Sequence, residues 1–289
     1  MVEGTRLESV RRLTPTAGSN PAPSATFTLG IWLNSEYIHF MSLSARGLLV
    51  CGCIWGFLGL LIITGCCSKT AVSQRQQKIA QSIENQRVIG QAYSKFLNDN
   101  DGSYPRVRGP AGVGGKLGSP LDIKGKPLPS IIAKLYGATT PEKDRPLNAY
   151  IENVNSFHDP ADIGGGAYNV ASAWESFGNS YHPQVADDMF RVKRVLGEDS
   201  EEKGSYEGTS MHESEITKAS NKIIQGDFNW PYDREDAWHA KQSEARHIML
   251  YADGHAAEFV FPPTKKMMKW IAPPPHGNMP DPDPNYIWW

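Results

Sequence analysis

The sequence predicts an α+β protein: a membrane-entering N-terminal segment, a long amphipathic helix, and an antiparallel β-sheet with long loops packed on that helix's lower half. Three observations carry this. Gly47 to Gly65 contains no charged residue, apolar residues recur every three or four positions between Thr70 and Leu97, and Asp253-Gly254 separates two apolar runs. These are the patterns of a bilayer-length helix, of a helix with one apolar face and of a β-hairpin.

Composition narrows the function classes. The chain has 289 residues, of which 40% are hydrophobic, and 29 Lys plus Arg stand against 31 Asp plus Glu for a formal charge of −2. That suits one or two domains with a real core and excludes wholesale disorder and a polytopic membrane protein. The near-neutral balance supplies no field for a polyanion, and the sequence shows no local basic patch, so no nucleic-acid partner is expected. All four cysteines, Cys51, Cys53, Cys66 and Cys67, lie within or at the end of one apolar stretch. The rest of the chain therefore has no disulfide framework, thiolate metal site or cysteine nucleophile.

Residues 1–40 read as a non-native or disordered leader. Met1 to Thr26 is rich in Arg, Thr, Ser and Pro without apolar periodicity, and Gly18-Ser19-Asn20-Pro21 is also the translation of a transfer-RNA T-loop codon string, which places the expected start at Met41. Residues 41–66 form a signal or transmembrane segment. Nineteen helical residues, Gly47 to Gly65, reach roughly 28 Å, about the hydrocarbon thickness of a bilayer. If the segment is retained, Arg46 marks the inner side and residues 69–289 stand outside the cytoplasm. If it is cleaved, Ile63-Thr64-Gly65-Cys66 resembles a bacterial lipobox and Cys66 carries the lipid; Cys66 and Cys67 also fit small apolar residues at a helix end, or palmitoylation targets. Either fate anchors the chain to the cell membrane or outer envelope, with everything after about residue 68 exported.

Residues 67–98 form the amphipathic helix. Ile79, Ile83, Ile89, Ala92, Tyr93 and Phe96 fall on one stripe, with Arg75, Lys78, Glu84, Arg87 and Lys95 largely elsewhere. Asn98-Asp99-Asn100-Asp101-Gly102 then ends it, because short polar side chains compete for backbone hydrogen bonds and Gly102 accepts positive φ. The same acidic spacing is reminiscent of a calcium loop, but Ser103, Tyr104, Pro105 and Arg106 follow where further oxygen ligands are needed.

Residues 99–261 make the exported domain. Residues 106–130 read as a surface loop: Gly114-Gly115-Lys116 fails as a phosphate-binding loop because Pro110 and Leu117 occupy the positions that need Gly and Ser or Thr. Gly197 to Glu215 is acidic and reads as a solvated, mobile excursion. The Asp253-Gly254 hairpin is expected to take positive φ at its centre. Residues 262–289 are a Pro-rich tail ending in Tyr286-Ile287-Trp288-Trp289, whose aromatics are expected to close over the protein's own sheet.

His239, His247, Asp253 and His255 are the residues that suit zinc or iron. The turn argues against it, since with Gly254 at its tip Asp253 and His255 need not share a direction. The expected roles are structural: Asp253 caps its own turn while the histidines pack beside Trp238 or hydrogen-bond across the hairpin. No Gly-x-Ser-x-Gly elbow or His-Glu-x-x-His helix is present. No enzyme activity, cofactor or small-molecule substrate is expected.

Several strings carry a family resemblance. Asn85-Gln86-Arg87-Val88-Ile89-Gly90-Gln91-Ala92, the later Asn100-Asp101-Gly102 with Tyr104-Pro105, Asp144 to Ile151, Phe157 to Asp162, and a C-terminal His239, His247 and Asp253-Gly254-His255 resemble the prepilin-like proteins of planctomycetes and verrucomicrobia, relatives of type II secretion pseudopilins. The usual prepilin cleavage signature is absent from Gly47–Gly65, and Asp159 stands where relatives commonly carry Cys. The resemblance implies a pilin-like fold with a spine helix on an antiparallel sheet, a structural or interaction role in the cell envelope, and the membrane and other pilin-like subunits as partners. The alternative it leaves open is a pseudopilin-derived lipoprotein acting as a monomeric surface or periplasmic module.

Overall fold

The computed structural model describes residues 72, 74–189 and 192–261. Gly47–Gly65, Cys66 and the 262–289 tail lie outside the described residues. Among the described residues no helix is long and apolar enough to cross a membrane. The architecture is α+β.

Helix α1 spans residues 74–99. Six of its buried positions, Ile79, Ser82, Gln86, Ile89, Tyr93 and Leu97, advance by three or four residues and so form one stripe, which Gly90 and Ala92 flank, while Lys78, Glu84, Arg87 and Lys95 are exposed. Two of the six are polar, and each is satisfied across the interface. The Gln86 amide donates to the Ile248 carbonyl at 2.6 Å, and the Ser82 hydroxyl donates to Asp159 at 2.6 Å. At the helix end the Leu97 carbonyl accepts from the Asn100 and Gly102 amides at 3.1 and 2.8 Å, with Asp101 at φ 51° and Gly102 at φ 76°.

After α1 come strand β1 (Arg106–Val107), helix α2 (Ser130–Leu135), helix α3 (Ala173–Phe177), and strands β2 (Tyr181–Pro183), β3 (Gly197–Glu198), β4 (Ile223–Asp227), β5 (Arg246–Tyr251) and β6 (Ala256–Val260), with short 3-10 turns between them. The main sheet runs β2-β4-β5-β6, every pairing antiparallel. In central β5, Ile248, Met249, Leu250 and Tyr251 are all buried, because both sheet faces are covered. Leu250 and Ile224 of the sheet join Ile89, Ala92, Tyr93 and Leu97 of α1 in the larger core. Met249, Tyr251 and Ile223 join Trp230, Val192 and Phe261 in a second cluster.

Two segments depart from the expectation of solvated loops. Ala111–Val113 is buried in a 3-10 turn, and the carbonyls of Ala111 and Gly114 both accept from the wholly buried Arg145 guanidinium, at 2.6 and 2.9 Å. Arg145 also reaches the Phe177 carbonyl at 3.3 Å, so a cage of backbone oxygens holds its charge. Burial pushes this guanidinium down to about 10. The acidic excursion is likewise pinned: β3 pairs in parallel with β1, Met211 is buried, and the Tyr104 amide donates to the Met211 carbonyl at 2.9 Å. Asp199, Glu201, Glu202, Glu213 and Glu215 are exposed, Glu198 turns inward to accept from the Gly109 amide at 3.1 Å, and the backbone supplies the partners that Tyr104 and Val107 need.

Candidate functional site

The hairpin between β5 and β6 turns through Ala252, Asp253 and Gly254. The Gly254 amide donates to the Tyr251 carbonyl at 2.9 Å and the Tyr251 amide to the His255 carbonyl at 3.0 Å. Positive φ falls on Gly254 alone, at 84°, so the turn is the three-residue kind with a glycine bulge rather than one with two left-handed centres. The Asp253 carboxylate accepts from the His255 amide at 3.1 Å, capping the turn, and also meets His255 Nδ1 at 2.5 Å. The sequence left open whether these two side chains share a direction; the bulge brings residue 255 back over residue 253, and they do. The His255 ring stacks on Tyr251 at 4.2 Å.

This turn rests against α1. A Cβ at Gly90 would stand 3.0 Å from Leu250 Cδ1 and 3.3 Å from Gly254 Cα, so the missing side chain sets how closely hairpin and helix approach. A cleft of about 400 Å³ opens beside the contact, and Gly90, Tyr104, Glu213, Asp253 and Gly254 all line it. Of the helix-end residues Leu97 and Tyr104 reach this cleft, whereas Asn100, Asp101 and Pro105 line a separate one. Asn100 donates to the Phe96 carbonyl, the Asp101 carbonyl contacts His212 Nε2 at 2.6 Å, and the Pro105 carbonyl accepts from Ser210. Tyr104 is buried against Tyr93, with ring centres 5.8 Å apart, and its hydroxyl is pushed well above its ordinary value by burial and by the charge of Glu213.

The other two histidines do not hydrogen-bond across the β5–β6 hairpin. Each is buried against its own aspartate. His247 Nδ1 lies 2.7 Å from Asp227 Oδ1 and its Nε2 lies 3.1 Å from the Tyr232 carbonyl, while Asp227 Oδ2 accepts from the Ile248 amide at 3.2 Å. Burial raises the Asp227 carboxyl, but the charge and hydrogen bond of His247 outweigh it and hold the group below the usual carboxylate range. His239 Nε2 lies 2.9 Å from Asp159 Oδ2, which also accepts from Ser82, and Asp159 Oδ1 accepts from the Ala161 amide at 2.8 Å. Arg75 reaches back to the His239 carbonyl at 2.5 Å. Burial lowers the His239 imidazole, but the charge and hydrogen bond of Asp159 more than offset it, so its pKa lies above the ordinary value. His239 Nδ1 has no hydrogen-bond partner among the described residues.

Ser82, Asp159 and His239 are the residue types of a hydrolytic triad in the wrong order. The carboxylate sits between serine and imidazole, so the imidazole does not touch the hydroxyl, and all three are buried. Among the described residues no group of three or more His, Cys, Asp or Glu side chains is arranged to hold a metal ion. His239, His247 and His255 each pair with a separate aspartate. Sequence reasoning did not nominate Ser82, Asp159, Asp227 or Arg145; the one local signal was a polar residue at a stripe position, Ser82 three after Ile79.

The class the fold defines is α+β, with a long helix laid on an antiparallel sheet. No protein-family model, curated protein or solved structure matches the chain.

Proposed function

We propose that the protein is a pseudopilin-like component of the cell envelope, anchored by Gly47–Gly65, whose exported domain is built for contact and holds no catalytic centre. The reading rests on one observation above the others: the segment from Asn85 to Pro105 and the turn Asp253-Gly254-His255, which both carry strings that resemble the prepilin-like family, meet where Gly90 stands against Gly254. Their polar side chains hold backbone in place. In this reading α1 is the lower half of a spine, and the apolar stretch ahead of it is its membrane half.

The test is the intact mass of the mature protein recovered from membranes, together with cross-linking between copies through α1. A membrane-bound product that retains Gly47–Gly65 and cross-links to copies or other pilin-like subunits supports the reading. A native product free in the cytosol overturns it. The lipobox-like Ile63-Thr64-Gly65-Cys66 favours a second reading, a monomeric lipoprotein. For that protein the mature mass begins at Cys66 with added acyl chains, and fatty-acid labelling disappears in Cys66→Ser.

A further inference from the structure

We propose that the turn following Pro120 and the outer face of α2 form a docking surface for an anionic lipid bilayer. From Lys116 to Leu135 the chain carries Lys116, Lys124, Lys126 and Lys134 against one acid, Asp122, a local excess of four minus one in a chain whose net charge is −2. Lys116 pairs with Glu175, but Lys124, Lys126 and Lys134 are exposed and form no ion pair among the described residues. Interleaved with them are large aliphatic side chains in water: Ile123 is 56% exposed, Ile131 71% and Leu135 59%. A sequence reading misses this patch because the lysines are spaced out, each beside apolar residues that suggest a core.

The fold holds these side chains outward. Leu121 bridges to Pro127 and the Leu128 amide donates to the Pro120 carbonyl, closing a tight turn with Ile123 and Lys124 at its tip. The Asp122 carboxylate is occupied inside that turn, accepting from the Lys124 and Lys126 amides at 2.8 Å each, so it points at backbone rather than at the lysine ammonium groups. Helix α2 follows at once, and Ile131 and Leu135, four residues apart, share its outer face while Ala133 faces the core. The Ile123 amide donates to the Asn169 carbonyl, and Asp122 bridges to Val170, which fixes the turn to the domain.

Aliphatic side chains beside unpaired lysines suit a surface that is apolar within and negative at its rim. A protein partner would need a matching acidic pocket for each lysine; a phospholipid interface meets any spacing. Each lysine near an anionic leaflet strengthens attachment about fivefold, so three give roughly a hundredfold. The inference rests on the exported domain standing near a membrane, as proposed above.

The full chain is reconstituted with vesicles of phosphatidylcholine alone or mixed with phosphatidylglycerol, and amide hydrogen exchange is followed across residues 121–135. Exchange there slows roughly tenfold on the anionic vesicles only, and the slowing fades at high salt as the charges are screened. In Lys124→Glu/Lys126→Glu/Lys134→Glu it disappears, while exchange in β5 is unchanged and certifies the fold. Ile123→Ser/Ile131→Ser reduces it with the charges intact. Equal exchange on both vesicle types, slowing that survives charge reversal, or slowing that follows protein concentration without vesicles each overturns the proposal. Sedimentation with phosphatidylcholine vesicles reports the anchor separately, so loss of anchoring and loss of docking are told apart.

Discussion

The interior of the domain and the tip of its last hairpin hold the same chemical pair, an aspartate on an imidazole, in opposite settings. His239–Asp159 and His247–Asp227 are almost wholly out of water, whereas His255–Asp253 is well exposed at the turn. Inside, each carboxylate gathers partners from distant parts of the chain: Asp159 joins Ser82 of α1 to His239, across 77 and 80 residues. At the tip, Asp253 and His255 are two residues apart, and beyond each other they meet only their own turn and the neighbouring Tyr251 ring. The geometry is similar, so what separates them is the cost of leaving a member unpaired, which is large in the interior and small in water.

The largest effect is therefore expected at Asp159. Asp159→Ala strands the buried His239 imidazole and the Ala161 amide without an acceptor and leaves the Ser82 hydroxyl only Tyr181, and urea denaturation should show a loss of about 3–5 kcal/mol. Asp159→Asn keeps an acceptor but removes the charge, and should lose less. Equal stability of Asp159→Ala and the native chain would break the distinction between interior and tip.

A middle-sized effect is expected from pH. His239 is raised above its ordinary 6.5 in the folded state. Its contribution is therefore complete below about pH 6.5 and is lost as pH rises through the higher folded value. Lys222 works in the opposite sense: burial lowers it from 10.5 to about 7, so its contribution grows as pH rises from about 7 toward 10.5. Subtracting the Tm profile of His239→Gln from that of the native chain removes the Lys222 effect. The difference should shrink steadily above about pH 6.5; a difference flat with pH would mean that His239 gains no proton affinity from Asp159.

Much of the local structure was legible in the sequence and much of the polar interior was not. Ile79, Ile89, Tyr93 and Leu97 announce the buried face of α1 because burial repeats with the helical period. Ser82 and Gln86 lie on that same face but read as polar, since their partners, Asp159 and the Ile248 carbonyl, belong to segments far along the chain. The Asp253-Gly254 turn is legible because it is made by adjacent residues. Acidity made Gly197 to Glu215 look like a free loop, yet Gly197 pairs with Arg106, and Glu198 and Glu215 themselves accept from backbone amides. Arg145 lies within the family-like string Asp144 to Ile151, and nothing local tells that six carbonyls surround it.

The smallest effect, and the sharpest contrast with Asp159, is expected at the hairpin tip. His255→Ala removes the imidazole from Asp253 and from the face of Tyr251, but the Asp253 carboxylate keeps the residue-255 amide as its donor and is bathed in solvent. The turn itself depends on Gly254 and on the Tyr251 backbone pairs, which the substitution does not touch. Unfolding free energy should therefore change by no more than about 0.5 kcal/mol. Raising the salt concentration should erase most of even that, since an exposed pair is screened and a buried one is not. A loss as large as that of Asp159→Ala would show that the tip is held by its ion pair, and that exposure does not govern what an aspartate–histidine pair contributes here.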